Sequence, residues 1–415
     1  MASLPTALFV LVACGLAAQW LAVRGYLRTI RSAARLRSRN QNVWPHAALL
    51  FSVRGDGRGL SDRLEQCLSL DYPGFEIHVV VDHETDPSYT VARDWAHGRE
   101  APRAFVHLLQ EISPSCSLKC SAVRQCLERL GGAVEVAVVV DVDSRIYPLW
   151  LKDLVGGLNE YGAGIVSGNR WYDPTTAGWG SLVRFIYNAH AVVPMQAMKM
   201  AWGGSLAMHR DVYASPVIPE LLWKSPTEDS AMHRIAEAVG TPFAMDPHVM
   251  LLGRDSVSLP GCFDFIKRQL LWTRLYHERW WLIFFGLLAS YAVLASQTLC
   301  AAWMLWAGKP AVAAVFAAGP IAAIVANVAI VESLHRSVSA VIKTFQGADV
   351  PPITWSIRAA LVVWMPLAFA TIVLAASSAA VARRVRWSGV DYRVLAPDGL
   401  RLVAYRPVQD FPAFG

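Results

Sequence analysis

The sequence predicts an α/β domain with a central parallel sheet, set between helical segments apolar enough to cross a membrane. Three observations predict it. Val138-Val-Val-Asp-Val-Asp-Ser144 joins a β-branched run to two carboxylates, Asp141 and Asp143; a run of that composition is a strand buried on both faces, as in parallel sheets. Strand, helix and strand patterns precede it. The apolar residues are also segregated. The chain of 415 residues is 54% hydrophobic and 17% charged, yet 4–23, 281–306, 311–331 and 359–381 carry no charge. Each approaches or exceeds the ~20 residues that span a bilayer.

Taken in order, residues 1–23 read as an N-terminal transmembrane anchor. No Lys or Arg precedes it, so it lacks the basic start of a secretory signal. Residues 24–46 form a basic juxtamembrane linker with Arg24, Arg28, Arg31, Arg35, Arg37 and Arg39. Positive charge stays inside, which places the following domain, 47–264, in the cytoplasm. In that domain Ala47-Ala-Leu-Leu-Phe-Ser-Val53 is the first strand, running into the glycine-rich loop Arg54-Gly-Asp-Gly-Arg-Gly59. A helix over 60–70 ends at Asp71-Tyr-Pro-Gly74, and a second strand over 75–81 ends in Asp82-His-Glu-Thr-Asp-Pro87. This is a nucleotide-binding half, with acids at the second strand end. A helix over 117–130 carries Lys119 near its start, and the strand over 134–140 leads to Asp141 and Asp143.

Farther on, Ser225-Pro-Thr-Glu-Asp-Ser230 precedes a helix over 231–239. Residues 265–280 read as a basic, aromatic interfacial helix with Lys267, Arg268, Trp272 and Arg274. The C-terminal membrane region is 281–381, followed by a cytoplasmic tail, 382–415. Within the membrane region 332–346 carries Glu332, His335, Arg336 and Lys343 and reads as a helix lying on the bilayer. Four crossings would leave Arg383, Arg384, Arg386 and Arg393 outside, against the charge rule. Pro366 in the middle of 359–381 therefore predicts a re-entrant hairpin, returning Trp387 and Tyr392 to the catalytic side.

The chemistry follows from placement. Ligands of such sheets bind beyond the carboxyl ends of the strands. Paired acids there suit a hard divalent cation that also grips a diphosphate. Arg54 at a strand end can hold base or phosphate oxygens. Glu228 and Asp229 suit a general base, or a helix cap. The loop 54–59 lacks both G-x-G-x-x-G and the Walker pattern. The net charge of +6 would suit nucleic acid, but much of it flanks membrane segments, where anionic lipid accounts for it better. Seven cysteines, an odd number with no C-x-x-C, fit reduced thiols rather than a disulfide framework or a zinc site.

The order of these motifs resembles the membrane-bound family 2-type glycosyltransferases, most closely the ceramide glucosyltransferases and their bacterial lipid-glycosylating relatives. Leu68-Ser-Leu-Asp-Tyr-Pro-Gly-Phe-Glu and Asp82-His-Glu-Thr-Asp-Pro87 are similar to their LDYP…FE…DEDDP signature. Asp141-Val-Asp-Ser144 resembles their metal motif, Trp202 to Val212 their TGMSCLMRKDV stretch, and Glu228-Asp229 their ED pair. Arg268-Gln-Leu-Leu-Trp272 stands where they have (Q/R)xxRW, with Leu271 in place of the motif's Arg, so that Arg268 or Arg274 would serve instead. The resemblance runs from about residue 47 to 393.

It implies a GT-A catalytic fold and an inverting transfer of a hexose, from UDP-glucose or UDP-galactose, to the hydroxyl of a membrane lipid such as ceramide. Arg54, Lys119, Asp141 and one of Asp82 or Glu84 would contact the nucleotide sugar. Asp143, helped by Asp141, would hold Mg²⁺ or Mn²⁺. Asp229, beside Glu228, would be the base. Arg268, Gln269, Trp272, Arg274 and His190 would face the diphosphate and the acceptor. Two other readings are a processive polysaccharide synthase, for which three C-terminal apolar segments are few to build a polymer channel alone, and a non-catalytic nucleotide-sugar-binding membrane protein.

Overall fold

The computed structural model describes residues 3–33, 43–55, 57, 59–395 and 399–408. Arg35, Arg37 and Arg39, two residues of the 54–59 loop and the end of the tail lie outside them. The elements in chain order are α1 (Ser3–Ala33), β1 (Ala47–Val53), α2 (Leu60–Leu68), β2 (Phe75–Val81), α3 (Pro87–Ala96), β3 (Arg103–Leu108), α4 (Leu118–Arg129), β4 (Val136–Val139), α5 (Trp150–Glu160), β5 (Ile165–Tyr172), α6 (Trp179–Met198), β6 (Leu206–His209), α7 (Arg210–Tyr213), α8 (Val217–Trp223), α9 (Glu228–Val239) and β7 (Phe243–Gly253). Then follow α10 (Leu259–Tyr276), α11 (Trp280–Trp306), α12 (Pro310–Gln346), α13 (Trp355–Val381), β8 (Arg384–Trp387), β9 (Val390–Val394) and β10 (Leu400–Ala404).

Seven strands form one sheet in the order β3-β2-β1-β4-β6-β5-β7. The sheet is mixed rather than purely parallel: β6 runs antiparallel between β4 and β5, while the other pairings are parallel. β1 and β4 are buried along nearly their whole length, as their apolar composition requires, because helices cover both faces. The chain leaves β1 toward β2 and β3 on one side and returns to β4 on the other. The topological switch point therefore lies between β1 and β4, and the residues after β2, β1 and β4 line one crevice.

Four helices are long and apolar enough to cross a membrane, at Thr6–Arg31, Trp280–Trp306, Pro310–Gln346 and Trp355–Val381. α1 extends into the first part of the expected linker, as far as Ala33, and its last turns bury Val23, Tyr26, Leu27 and Ile30 against the catalytic domain. The Ile30 carbonyl lies 2.9 Å from His248 Nε2 of β7. The segment 332–346 is no separate surface helix. It continues α12, and Leu334, Val338 and Ile342 are buried. Trp171 Nε1 donates to His335 Nδ1 at 3.2 Å, so His335, buried, has its partner inside the protein.

The expected hairpin in 359–381 is corrected as well. α13 runs unbroken through Pro366, an exposed position where the missing N–H disturbs no packed face. It lies along the catalytic domain. Trp364 meets Trp179 at the start of α6, with ring centroids 4.1 Å apart, and the carbonyls of Ala379 and Ala382 accept from Arg274. Both regions of α13 touch the same domain, and the three-stranded sheet β8–β10 after it packs on that domain too. Tyr392 OH accepts from the Leu118 N–H at 3.2 Å, and Trp387 lies 5.8 Å from Trp272. The expected interfacial helix is α10, which starts earlier than 265 and buries Leu270, Leu271 and Leu275 in the core.

Candidate active site

Three strand ends build the crevice. After β1 stands Arg54, after β2 Asp82, after β4 Asp141 and Asp143. Arg54 is not a free grip for phosphate. Its guanidinium pairs with Asp82 and donates to the carbonyls of Ser388 (2.8 Å) and Arg406 (2.6 Å), beneath the Tyr405 ring at 5.3 Å. It ties β1 and β2 to the C-terminal sheet. Asp82 is buried, and its Oδ1 has no partner among the described residues. Glu84 is exposed on the turn beyond. Of the two acids left open by the sequence, Asp82 is the one inside the crevice.

Lys119 enters from the first turn of α4, whose start Ser117 caps by accepting from the Cys120 N–H. Its Nζ lies 2.5 Å from Asp141 Oδ1 and 2.6 Å from Glu228 Oε1. Burial alone would lower the Lys119 pKa, but Asp141, Glu228 and Asp229 hold it well above the lysine range. Asp143 is open to solvent at the mouth of the crevice, yet protein surrounds it on most sides. Burial first, then the neighbouring Asp141, raises its pKa, with Arg170 and Lys119 opposing. A carboxylate pair that repels in this way suits a divalent cation. The described residues hold no cluster of three or more His, Cys, Asp or Glu around a point, so the pair is the donor set the protein offers. Cys116, Cys120 and Cys126 are buried free thiols.

Glu228 and Asp229 form the first turn of α9, which starts three residues before the expected 231. Glu228 is fully buried, and burial pushes its carboxyl up to about 7, Lys119 opposing. Asp229 accepts from the Gly203 N–H at 3.0 Å through Oδ2 and from the Thr227 hydroxyl through Oδ1. Gly203 must be glycine: a Cβ there would collide with Glu228 Oε1. The two carboxylates are thus fixed in different surroundings, one sealed against a lysine and one facing a cavity.

That cavity has a volume of about 1540 Å³. Asp229, Gln269 and Trp272 line one part of it, while Leu16 of α1, Leu287 of α11 and Phe369 of α13 line another. His190 also lines it, and its Nε2 lies 2.8 Å from Asn327 Oδ1 of α12, to which Gln19 of α1 donates at 2.9 Å. Arg274 is engaged at the C-terminus of α13 and caps its carbonyls, the end of a helix that favours a cation. Leu271 is fully buried. Arg268 is near enough to Arg170 and Asp143 to feel their charges: burial first, then Arg170, lowers its pKa, with Asp264, Tyr172 and Asp143 opposing. Arg170, on β5, is a site residue the sequence reading missed. Its guanidinium stands 4.9, 5.3 and 5.7 Å from the rings of Phe265, Trp202 and Tyr172. Within a strand reading Ser-Gly-Asn-Arg-Trp-Tyr it gave no signal beyond a single charge between buried positions.

A mostly parallel sheet with two acids at its switch point makes a GT-A-like domain with membrane-length apolar helices before and after it. Residues 57–214 match the model of Glycosyl transferase family 2. No curated protein sequence matches the chain. Among solved structures, a mannosyltransferase from Pyrobaculum calidifontis in complex with GDP-mannose and Mn²⁺ is similar at 16% identity and TM-score 0.48, covering 90% of this chain and 99% of its own. Glucosyl-3-phosphoglycerate synthase from Mycobacterium tuberculosis in complex with Mn²⁺, UDP-glucose and phosphoglyceric acid is similar at 13% identity and TM-score 0.36, covering 56% of this chain and 77% of its own.

Proposed function

We propose that the protein is an inverting glycosyltransferase that moves a hexose, expected to be glucose, from a UDP-linked donor to the hydroxyl of a membrane lipid such as ceramide. The observation that carries this reading is the cavity: one continuous space joins Asp229 to the walls of α1, α11, α12 and α13. A lipid lying among those helices can bring its hydroxyl to a carboxylate of the catalytic domain without leaving the bilayer.

In this mechanism the donor lies across the strand ends, with its base toward the unpartnered Asp82 Oδ1, an acceptor for a base N–H. Asp141 and Asp143 would hold Mg²⁺ or Mn²⁺, which supplies positive charge to the departing diphosphate. Asp229 takes the proton of the lipid hydroxyl. A base must sit within hydrogen-bond reach, and the bonds from Gly203 and Thr227 hold the carboxylate in one orientation for that contact. Lys119 fixes Asp141 and balances the buried Glu228. Attack on the anomeric carbon from the face opposite the diphosphate is a single displacement and inverts the centre; retention would need a nucleophile on the other face. α1, α11 and the first half of α12 cross the membrane, α13 lies along its surface, and the catalytic domain faces the cytoplasm, on the side of the arginines after α13.

The test is transfer from labelled UDP-sugars by membranes containing the protein, with Asp229→Asn as control and lipid extraction as the readout. A labelled lipid that disappears in the variant supports the reading and names the sugar. Label recovered only in polymer, or variant turnover equal to wild type, overturns it.

A further inference from the structure

Besides Arg54, two further arginines on separate elements lie by the acids of the crevice. Arg268 comes from α10 and Arg170 from β5; Arg170 acts on the charge of Arg268, and Asp143 acts on both. Arg170 is held by three rings. Trp202 precedes Gly203, whose N–H binds Asp229, so its ring fixes Arg170 to the acceptor side of the site. Phe265 lies one turn before Arg268 on α10, so its ring fixes Arg170 to the same wall as that arginine. Tyr172 closes a third side. The guanidinium has no hydrogen-bond partner among the described residues, which leaves its N–H fork available to a ligand.

A cation enclosed by aromatic faces is positioned without using its hydrogen bonds, because the attraction of the rings acts through their π faces. A planar fork of donors matches two oxygens of a phosphate. The leaving group of the proposed reaction carries such oxygens, and its negative charge grows as the bond to the sugar breaks. On the reading above, on which this inference rests, we propose that Arg170 is a catalytic residue that binds the diphosphate of the donor together with Arg268. The sugar's C1–O bond breaks with its electron pair going to the diphosphate oxygen; the lipid oxygen forms the new bond, and its proton goes to Asp229. The two guanidiniums stabilise the oxygen that receives the pair. Leu271, three residues after Arg268 on α10, is buried in the core, so the second guanidinium comes from β5.

The experiment compares wild type with Arg170→Met, which fills the space between the rings without charge, and with Arg170→Lys, which keeps the charge without the fork. Three quantities are read on purified full-length protein: binding of UDP with Mn²⁺, lipid transfer, and the thermal midpoint. Arg170→Met should weaken UDP binding about tenfold and lower transfer about 100-fold, an effect of the size seen on removing one stabilising donor, with part of the transfer restored by added guanidinium. Arg170→Lys should keep more transfer than Arg170→Met and gain less from guanidinium. UDP binding and transfer within twofold of wild type in Arg170→Met overturn the assignment and leave the transferase reading standing. A fall in thermal midpoint in both variants with no guanidinium rescue assigns Arg170 to packing and overturns it too. Wild type that neither binds a nucleoside diphosphate nor transfers overturns the transferase reading itself.

Discussion

Lys119 Nζ lies 2.6 Å from Oε1 of Glu228, a carboxylate with no solvent exposure. Removing one partner of a buried pair leaves the other charge without compensation. Lys119→Met should therefore cost about 3 kcal/mol of stability. Lys119→Met combined with Glu228→Gln should recover most of it, because the second change removes the stranded charge. Chemical denaturation of the two variants beside wild type checks this; equal losses in both would mean that the pair is not coupled.

The same burial gives a pH dependence. Glu228 is raised from 4.5 to about 7. A carboxyl that holds its proton more tightly when folded contributes stability that is full below its unfolded value, and this is lost as pH rises through the folded one. Wild type should thus lose stability between pH 4.5 and about 7 relative to Glu228→Gln, which does not titrate. Thermal midpoints measured across that window decide it, and parallel curves refute it.

Gly15 of α1 lines the cavity, and a Cβ there meets nothing within 4 Å. Gly15→Phe should project into the space without disturbing the fold. We expect the acceptor KM to rise about tenfold, equivalent to about 1.4 kcal/mol of lost binding, with UDP affinity unchanged. An unaltered acceptor KM would place the lipid elsewhere.

The orientation is open to a labelling experiment. Gly308, in the turn between α11 and α12, should face the outside, and Ser388, between β8 and β9, the cytoplasm. In a cysteine-free background, an impermeant thiol reagent applied to intact cells should modify Gly308→Cys and spare Ser388→Cys. The reverse pattern would invert the topology.

Much of the catalytic fold was legible in the sequence. Ala47–Val53 and Phe75–Val81 agree to the residue, because short apolar runs bounded by turn formers have few alternatives. The antiparallel β6 was not legible: its four residues, Leu-Ala-Met-His, carry no directional signal. The polar residues of 332–346 suggested a bilayer surface, since their partners, such as Trp171 for His335, are far away in sequence. The same limit applied at the site. Asp141, Asp143, Glu228 and Asp229 announce themselves as acid pairs, whereas Arg170 becomes notable only when Trp202 and Phe265 are folded around it.

The bonds of Arg54 to the carbonyls of Ser388 and Arg406 join positions 334 and 352 residues apart. The three apolar helices α11, α12 and α13 all lie between them. Arg54 already meets Asp82 of the neighbouring strand end, but its two carbonyl partners come from beyond those helices. One wall of the crevice is therefore completed by the last part of the chain, so a chain cut before β8 would keep the Arg54–Asp82 pair and lack that wall.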